Sequence, residues 1–312
     1  MRVVLFGYQK WGARLLADLL ASRHEVVLVV SHPEEGEPSP VIFQESLGDL
    51  AREHGIPVLY REKAVDAELV TAITDSGAEI GVACNWRTWI SPEVFSAPAR
   101  GTVNTHDSLL PRYAGFSPLN WALINGESQV GVTAHWMDAE LDRGPIICQR
   151  TVPVTPTDTT EDLFERTVLL FGPLALEAFD RVEHGPHEWL TQDPAHASFF
   201  HKRADEDNRI PWDRPAADLV NLVRAQTGPY PNAWCLHEGA RLRVLEATVS
   251  RERCGGTNGR IFAREGSGVV VVAGPDAWRG GQYGLVLQRV KDADGVEHVA
   301  GDHFRRMGGY LT

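Results

Sequence analysis

The first half of the chain alternates between short apolar runs and longer amphipathic segments. Apolar runs that end in glycine or polar residues are typical of buried strands, whereas apolar residues recurring every three or four positions are typical of helices. Strands are predicted at residues 2–7, 25–30, 55–59, 78–84 and 101–104, and helices at 11–21, 43–54 and 65–76. Because strand and helix follow each other repeatedly, the pattern predicts an α/β domain with a doubly wound, mostly parallel sheet.

The pattern changes along the second half of the chain. Two alternating segments predict a β-hairpin at 131–137 and 146–154, and one long amphipathic helix is predicted at 160–184. After a polar stretch, a short helix is predicted at 219–224, and short strands at 241–249, 259–264, 268–273 and 284–290. Strands at this spacing predict a smaller, β-barrel-like (OB-like) domain. The predicted domain organisation is a larger domain at 1–188, a linker at 189–206 and a β-rich domain at 207–312.

Charge is unevenly distributed along the chain. The formal net charge of the 312 residues is −12, and residues 1–206 carry 16 Lys and Arg against 30 Asp and Glu. Residues 207–312 carry 14 against 12. A strongly acidic portion repels phosphate backbones at long range, so the composition disfavours nucleic acid as the main partner.

Neither a membrane span nor a secretory signal is predicted. No apolar run approaches the length of a membrane span, and Lys10 and Arg14 interrupt the apolar residues near the N-terminus. The four cysteines are widely spaced, without a CxxC pair or a zinc-ligand pattern. Reduced thiols, a cytoplasmic location and no metal site are therefore predicted. The sequence leaves monomer and homodimer open.

The loop after the first predicted strand argues against a nicotinamide cofactor. Residues 7–12 lack the GxGxxG spacing, and the second strand is followed by Ser31 and His32 rather than by an acidic residue for a ribose. A nicotinamide-dependent dehydrogenase is therefore disfavoured. The loop, which contains Tyr8, either lines an acceptor pocket or forms a plain tight turn.

Three polar residues stand where a catalytic site is expected. Asn104 ends a predicted strand and His106 lies two positions further on, so on an extended continuation of that strand their side chains share a face. Asp142 follows another predicted strand in a glycine-bounded loop. An amide, an imidazole and a carboxylate can together polarise a carbonyl, stabilise an oxyanion and move a proton. They are predicted as catalytic residues, with a structural histidine as the alternative for His106.

The motifs around these residues resemble the folate-dependent formyltransferase family. The resemblance is carried by Asn104-Thr-His106, by Ser-Leu-Leu-Pro at 108–111 and by Leu-Asp-Arg-Gly at 141–144. It continues at 118–122, 125–127, 131–133, 210–212 and 229–231, and so covers nearly the whole chain. It implies a Rossmann-like catalytic domain, a small C-terminal β-domain, and direct transfer of a formyl group from N10-formyltetrahydrofolate to an amine.

The resemblance also implies which residues bind the two substrates. The family places the pterin between the loop after a central strand and the loop that holds the catalytic aspartate. The residues implied for the folate are Trp86, Arg87, Ile90, Ser108, Leu109, Met137, Asp138 and Leu141. Those implied for the acceptor are Tyr8, Tyr113 and Gly115. Ordinary packing is the alternative for Trp86.

Departures from the family's pattern bear on the acceptor. Methionyl-tRNA formyltransferases carry a basic insertion after the second strand, whereas residues 31–40 here contain Glu34, Glu35 and Glu37 and no Lys or Arg. Ala114 stands where the family commonly has arginine, which argues against a phosphate-bearing acceptor. Residues 114–118 and 307–312 look most like the hydroxyornithine formyltransferases of siderophore biosynthesis. The expected acceptor is N5-hydroxyornithine; the alternatives are an amino-sugar nucleotide, initiator tRNA, and a non-catalytic folate sensor.

Overall fold

Contacts divide the chain into two compact units. The computed structural model describes residues 1–33, 43–185 and 188–312. One unit comprises Met1–Pro118, Gln129–Pro153 and Phe164–His201; the other comprises Leu119–Ser128, Val154–Leu163 and Lys202–Thr312. The domain boundaries expected from the sequence, which treat each domain as one continuous stretch, stay a prediction. The acidic residues 34, 35 and 37, on which the prediction of a missing basic insertion rests, lie outside the described residues.

The first unit is built on a seven-stranded sheet. The strands of this unit are β1 (Arg2–Gly7), β2 (Glu25–Ser31), β3 (Val58–Tyr60), β4 (Ile80–Cys84), β5 (Thr102–His106), β6 (Ala114–Gly115), β7 (Gln129–Trp136), β8 (Ile146–Pro153) and β9 (Phe199–Phe200). The sheet order is β3-β2-β1-β4-β5-β7-β8, while β6 and β9 form a separate parallel pair. The pairings from β3 to β5 are parallel, and those of β7 with β5 and β8 are antiparallel. The predicted mostly parallel sheet and its hairpin are confirmed.

Helices cover both faces of this sheet. The helices up to residue 185 are α1 (Gln9–Leu20), α2 (Leu47–Glu53), α3 (Ala67–Asp75), α4 (Pro92–Phe95), α5 (Pro118–Ile124), α6 (Thr160–Thr167) and α7 (Phe171–Glu183). Val3 and Leu5 of β1 belong to the apolar cluster with α1 and α7, whereas Val4 and Phe6 belong to the cluster with α3 and α4. Alternate strand residues face opposite sides, so the continuous apolar run of β1 is buried on both. The doubly wound arrangement follows from this.

One predicted helix is divided in the structure. Residues 160–184 form α6, a 3-10 turn at Val168–Leu170 and α7. Pro173 has no N–H group, and inside a continuous helix its ring would also clash with the carbonyl four residues earlier. The helix restarts instead, so that Pro173 lies in the first turn of α7, where N–H groups lack helical partners in any case. The prediction of a single helix was wrong for this reason.

The second unit carries an antiparallel sheet. Its elements from residue 202 onward include α8 (Ala216–Ala225), β10 (Ala233–His237), β11 (Ala240–Cys254), β12 (Ile261–Glu265), β13 (Gly268–Val271), β14 (Gln282–Lys291), β15 (Glu297–Val299) and α9 (Ala300–His303). The sheet order is β10-β11-β14-β13-β12, with β15 paired to β14. Leu219 of α8 packs in one apolar cluster with Val244, Val269 and Leu285. The predicted β-rich fold is confirmed, although β10 and β15 were not among the predicted strands.

The stretch predicted as a linker has definite local structure. Leu190 and Ile146 exchange two backbone hydrogen bonds, of 2.8 and 3.1 Å. β9 pairs with β6, which follows the Ser-Leu-Leu-Pro turn. This part of the chain therefore completes the first unit, which extends through His201.

The structure also bears on the predictions about membrane spans and cysteines. Among the described residues, no helix combines the length and the apolar character that a membrane crossing requires. Cys84, Cys148, Cys235 and Cys254 are free and buried, and burial raises the pKa of the Cys148 and Cys235 thiols to about 12.

Candidate active site

β5 delivers two of the predicted catalytic residues to the edge of the sheet. It runs parallel to β4 on one side and antiparallel to β7 on the other. Asn104 and His106 are both half-buried, and the strand residues on either side of Asn104 are buried. This alternation turns both polar side chains toward the same face, at the carboxyl end of the strand, where ligands bind in such sheets.

The loop after β7 brings Asp142 to the same place. Asp142 is 6 % exposed and has a φ of +56°, in the left-handed region. Its Oδ2 accepts a hydrogen bond from the Gly115 backbone N–H at 2.9 Å, and its Oδ1 accepts one from Asn104 Nδ2 at 3.3 Å. His106 Nδ1 lies 3.7 Å from Oδ2. The three side chains predicted from the sequence therefore meet at one carboxylate.

His135 is a fourth member of this cluster, and the sequence analysis missed it. It is 2 % exposed and lies opposite Asn104 in the β5–β7 register. Its Nδ1 lies 2.9 Å from the Trp136 carbonyl oxygen, to which only an Nδ1–H can donate, so Nε2 accepts from Asn104 Nδ2 at 3.1 Å. Burial lowers the pKa of His135, although the nearby Asp142 charge acts in the opposite direction. Alternation along 131–137 predicted the strand that carries His135, but not its pairing with β5, so the sequence contained no signal for this contact.

The amide of Asn104 is thereby held on both sides. Its two N–H groups face His135 Nε2 and Asp142 Oδ1. An amide nitrogen has two hydrogens, so both have acceptors within the protein. The longer bond, at 3.3 Å to Asp142, is the weaker of the two and the more easily exchanged.

His106 is oriented by the turn that follows it. Its Nε2 lies 3.0 Å from the Tyr113 carbonyl oxygen, and Tyr113 has a φ of +59°. The Tyr113 ring stacks on Phe200 with a centroid distance of 4.9 Å. With Nε2–H donating to this carbonyl, Nδ1 is the nitrogen that faces Asp142.

A second group of predicted residues lies in the loop after β4 and directly after β7. Trp86, Ile90 and Met137 pack in the same apolar cluster. The Trp86 ring stacks on His32 at 4.0 Å, and its buried Nε1 has no hydrogen-bond partner among the residues that the structure describes. Apolar walls with one unsatisfied donor fit a flat heteroaromatic ring such as a pterin.

Comparisons with known proteins agree with this geometry. Residues 1–170 match the formyl transferase family model, and residues 202–305 match the model of the formyl transferase C-terminal domain. A methionyl-tRNA formyltransferase from Pseudomonas fluorescens (strain SBW25) is 34 % identical over 284 residues, covering 89 % of this chain and 87 % of that protein. The chain belongs to the formyl transferase family. It is therefore an enzyme that transfers formyl groups.

Solved structures share the fold of this formyltransferase. WlaRD, a sugar 3N-formyl transferase solved with dTDP and 5-N-formyl-THF, has a TM-score of 0.66 at 18 % identity, covering 95 % of this chain and 99 % of that one. HypX from Aquifex aeolicus, solved with tetrahydrofolic acid, has a TM-score of 0.59 at 18 % identity and 97 % coverage of this chain. This chain spans 47 % of HypX.

The structure places the other predicted folate residues in two settings. Asp138 and Leu141 belong to the loop that leads to Asp142, where Leu141 is exposed and Asp138 accepts from the Glu140 N–H. Ser108 and Leu109 lie in the turn after β5. Ser108 Oγ donates to the Arg112 carbonyl, so these two residues take part in internal packing of the turn.

The three residues predicted to bind the acceptor lie in two different places. Tyr113 and Gly115 lie beside His106 and Asp142. Tyr8 is 1 % exposed and packs beneath the Arg87 guanidinium, 5.1 Å from its ring centroid. Arg87, predicted to bind folate, is thus shared between the loop after β4 and the loop after β1.

Asp107 is a further carboxylate, next to His106 in the chain, that the sequence analysis did not select. The side chains of Thr167 and Trp11 hydrogen bond to it. Its Oδ1 is buried and has no partner within the described part of the chain. Burial raises the pKa of this carboxyl to about 6, an effect opposed by Thr167, His106 and Trp11.

Proposed function

We propose that Asn104, His106 and Asp142 catalyse direct transfer of a formyl group from N10-formyltetrahydrofolate to the nitrogen of a small amine or hydroxylamine. The observation that carries this proposal is the meeting of the three side chains at the Asp142 carboxylate. The folate donor is supported by the apolar cluster that contains Trp86, Ile90 and Met137, and by two structural neighbours solved with reduced folates.

In this mechanism the acceptor nitrogen attacks the formyl carbon. The new C–N bond forms as the carbonyl electron pair moves to oxygen, and the oxyanion is stabilised by His106 in its protonated form. Breakdown restores the carbonyl as the bond between the formyl carbon and N10 breaks, and N10 takes the electron pair and the proton that Asp142 has received from the acceptor nitrogen. The acceptor nitrogen loses its proton to Asp142, directly or through water.

Asn104 contributes to the same step through its exchangeable N–H group. His135 Nε2 retains one hydrogen of the amide at 3.1 Å. When Asp142 gains a proton it becomes a weaker acceptor, so the second N–H of Asn104 is released toward the oxyanion. A preorganised oxyanion donor lowers a barrier by about 3–4 kcal/mol, which is the upper limit for an N–H group that must first leave Asp142.

The acceptor that we propose is cationic, with N5-hydroxyornithine as the first candidate. Asp107 is evidence for a cationic acceptor, because a buried carboxylate oxygen without a hydrogen-bond partner is stabilised by a positive charge nearby. Trp11, which hydrogen bonds Asp107, lies in the first turn of α1, within the stretch 7–12 that was predicted to line the acceptor pocket. The acidic balance of residues 1–206 acts in the same direction.

Two other acceptors are supported by the relatives. The 34 % identity to a methionyl-tRNA formyltransferase favours initiator tRNA, and the fold of WlaRD favours an amino-sugar nucleotide. Both carry phosphates, which the sequence between residues 31 and 40, with no Lys or Arg, does not favour.

An acceptor panel tests this proposal. The full chain is incubated with N10-formyltetrahydrofolate and N5-hydroxyornithine, ornithine, dTDP- and UDP-amino sugars, or charged initiator tRNA, and folate release is followed with mass analysis of the products. We expect efficient turnover with N5-hydroxyornithine, and turnover lowered by about 10²- to 10³-fold but still measurable in the Asp142→Asn variant. Turnover of tRNA or of a sugar nucleotide alone would reject the cationic acceptor, and no formylation of any amine would reject the reaction.

A further inference from the structure

Residues 190–200, which we call the clamp segment, hydrogen bond to the turn that carries Asp142 and to the turn that follows His106. Gln192 in this segment is 7 % exposed. Its Nε2 donates to the Asp142 carbonyl and to the Gly144 carbonyl, each at 2.8 Å. Both hydrogens of one amide are thus used on the backbone that carries the catalytic carboxylate.

The backbone at Asp142 needs such support. Asp142 is not a glycine, yet its φ of +56° lies in the left-handed region, which costs free energy for other residues. The turn also passes so close to β7 that a Cβ at Gly144 would lie 1.8 Å from the Trp136 carbonyl oxygen. The two bonds from Gln192 fix the carbonyls on either side of this tight passage, and therefore the direction of the Asp142 side chain.

The other end of the clamp segment holds the turn after His106. The Tyr113 N–H donates to Ser198 Oγ at 2.9 Å, and the Ala114 N–H donates to the Ser198 carbonyl at 2.9 Å. This turn supplies the Gly115 N–H to Asp142 and the Tyr113 carbonyl to His106. One stretch of chain therefore supports both partners of the Asp142–His106 pair.

Gln192 is poorly satisfied at its own oxygen. Its Oε1 is buried without a hydrogen-bond partner among the described residues. A buried unsatisfied acceptor costs free energy, so an apolar side chain of similar shape would be favoured here if packing alone were at stake. What the glutamine supplies is its pair of donors.

We propose that Gln192 is a positioning residue for formyl transfer, whose two amide N–H groups hold the Asp142–Gly144 turn in the conformation that presents the Asp142 carboxylate to His106 and Asn104. This inference rests on the proposed catalytic role of Asp142. Gln192 acts through Asp142 and needs no contact with either substrate.

Removing the donors while keeping the shape tests this role. In Gln192→Met, kcat is expected to fall about 10- to 100-fold, because a misplaced catalytic group costs rate rather than binding. KM for the folate and for the acceptor should stay within about threefold of wild type. Gln192→Asn keeps the amide on a shorter arm and should give an intermediate kcat; it also serves if the methionine variant fails to fold.

A double-mutant cycle separates positioning from general stability. In the Asp142→Asn background, Gln192→Met should cost less than about twofold further, because residues that act as a unit are not additive. Asn120→Ala is the matched control: it removes another buried amide donor, which bonds the Ala225 carbonyl at 2.9 Å in the second unit. It should lower the melting temperature but leave kcat unchanged.

The outcomes distinguish the two proposals. Wild-type kcat in Gln192→Met, a loss confined to KM, or full additivity with Asp142→Asn would overturn the positioning role. Wild-type turnover in Asp142→Asn would instead overturn the proposed function on which it rests.

Discussion

The side-chain nitrogen of Asn104 lies 3.1 Å from Nε2 of His135, across the antiparallel pairing of β5 and β7. Nε2 can accept this bond only while the ring is neutral, because a protonated imidazole has a hydrogen on each nitrogen. The orientation of the Asn104 amide therefore depends on a neutral His135. Burial lowers the pKa of His135, which keeps the ring neutral.

Replacing His135 should lower turnover without removing any group of the proposed triad. His135→Leu removes the acceptor for Asn104, so the amide loses its fixed orientation, and kcat should fall about 10- to 100-fold. His135→Gln can present a carbonyl oxygen to Asn104 and should recover part of the loss. Steady-state kinetics with saturating folate checks both variants, and equal rates for leucine and glutamine would contradict the orienting role.

His135 should also make the protein less stable in acid. The folded-state pKa lies below the unfolded value of about 6.5, so the unfolded chain takes up the proton first as the pH falls. This contribution to stability is complete above that value and declines below it. Melting temperatures between pH 7.5 and 5 should fall less steeply in His135→Gln than in wild type. The comparison isolates His135 from His24 and His303, whose pKa values burial also lowers.

Single alanine substitutions of Asn104, His106 and Asp142 should each lower turnover by about 10²- to 10³-fold. Each side chain is half-buried or buried at the sheet edge rather than in the apolar clusters, so the fold should persist. Circular dichroism and the melting temperature check the fold, and folate release checks the rate. A rate near wild type in Asp142→Ala would remove that residue from the mechanism.

Local patterns in the sequence indicated where the triad residues lie, whereas their catalytic roles were predicted from the resemblance to the formyltransferase family. Asn104 and His106 share a face because strand residues alternate, and parallel strands present their carboxyl ends at one edge. Asp142 follows a strand that pairs with theirs. Each of these steps depends on short-range periodicity or on a general property of α/β sheets.

The supporting residues depended on long-range pairing that no local pattern reveals. His135 reaches Asn104 only because of the register between β5 and β7. Gln192 lies in a polar stretch whose composition indicates a linker. Its proposed role depends on contacts with residues 142 and 144, which lie 50 and 48 residues earlier in the chain. The division of the predicted helix at Pro173, by contrast, was visible in the sequence as a proline inside the helical pattern.

Asp107→Asn should stabilise the protein at neutral pH and weaken acceptor binding. Burial raises the folded-state pKa to about 6, so the folded state loses stability as rising pH ionises the group, by at most about 3 kcal/mol. The variant should therefore melt several degrees higher than wild type at pH 7.5 and at the same temperature near pH 4.

Kinetics of the same variant tests the link to the acceptor. If Asp107 attracts a cationic acceptor, its removal should raise KM for N5-hydroxyornithine about tenfold with less change in kcat. An acceptor whose α-amine is acetylated supplies the matched comparison, because its KM should respond little to the substitution. An equal rise for both acceptors would argue against recognition of charge by Asp107.

Gly115→Ala should disturb both the fold and the chemistry at one position. Gly115 has a φ of +93°, and a Cβ there would lie 2.4 Å from the Phe200 carbonyl oxygen and 2.9 Å from the Phe199 ring. To relieve the contact, β6 must move away from β9, and the Gly115 N–H then moves away from Asp142 Oδ2. Stability should fall by about 3 kcal/mol or more, and kcat by at least about tenfold.

Gly239→Ala is the control for backbone strain alone. Gly239 has a φ of +82° between β10 and β11, and a Cβ there would meet nothing within 4 Å. Gly239→Ala should lower the free energy of unfolding by about 1 kcal/mol and leave kcat unchanged. Both glycines have a positive φ, but only at Gly115 would a Cβ meet a neighbouring backbone atom. Urea unfolding and steady-state kinetics of the two variants therefore separate the effect of backbone strain from the effect of the contact with Phe200. If both lost the same stability, with kcat intact in both, the packing of β9 against β6 would play no part in holding Asp142.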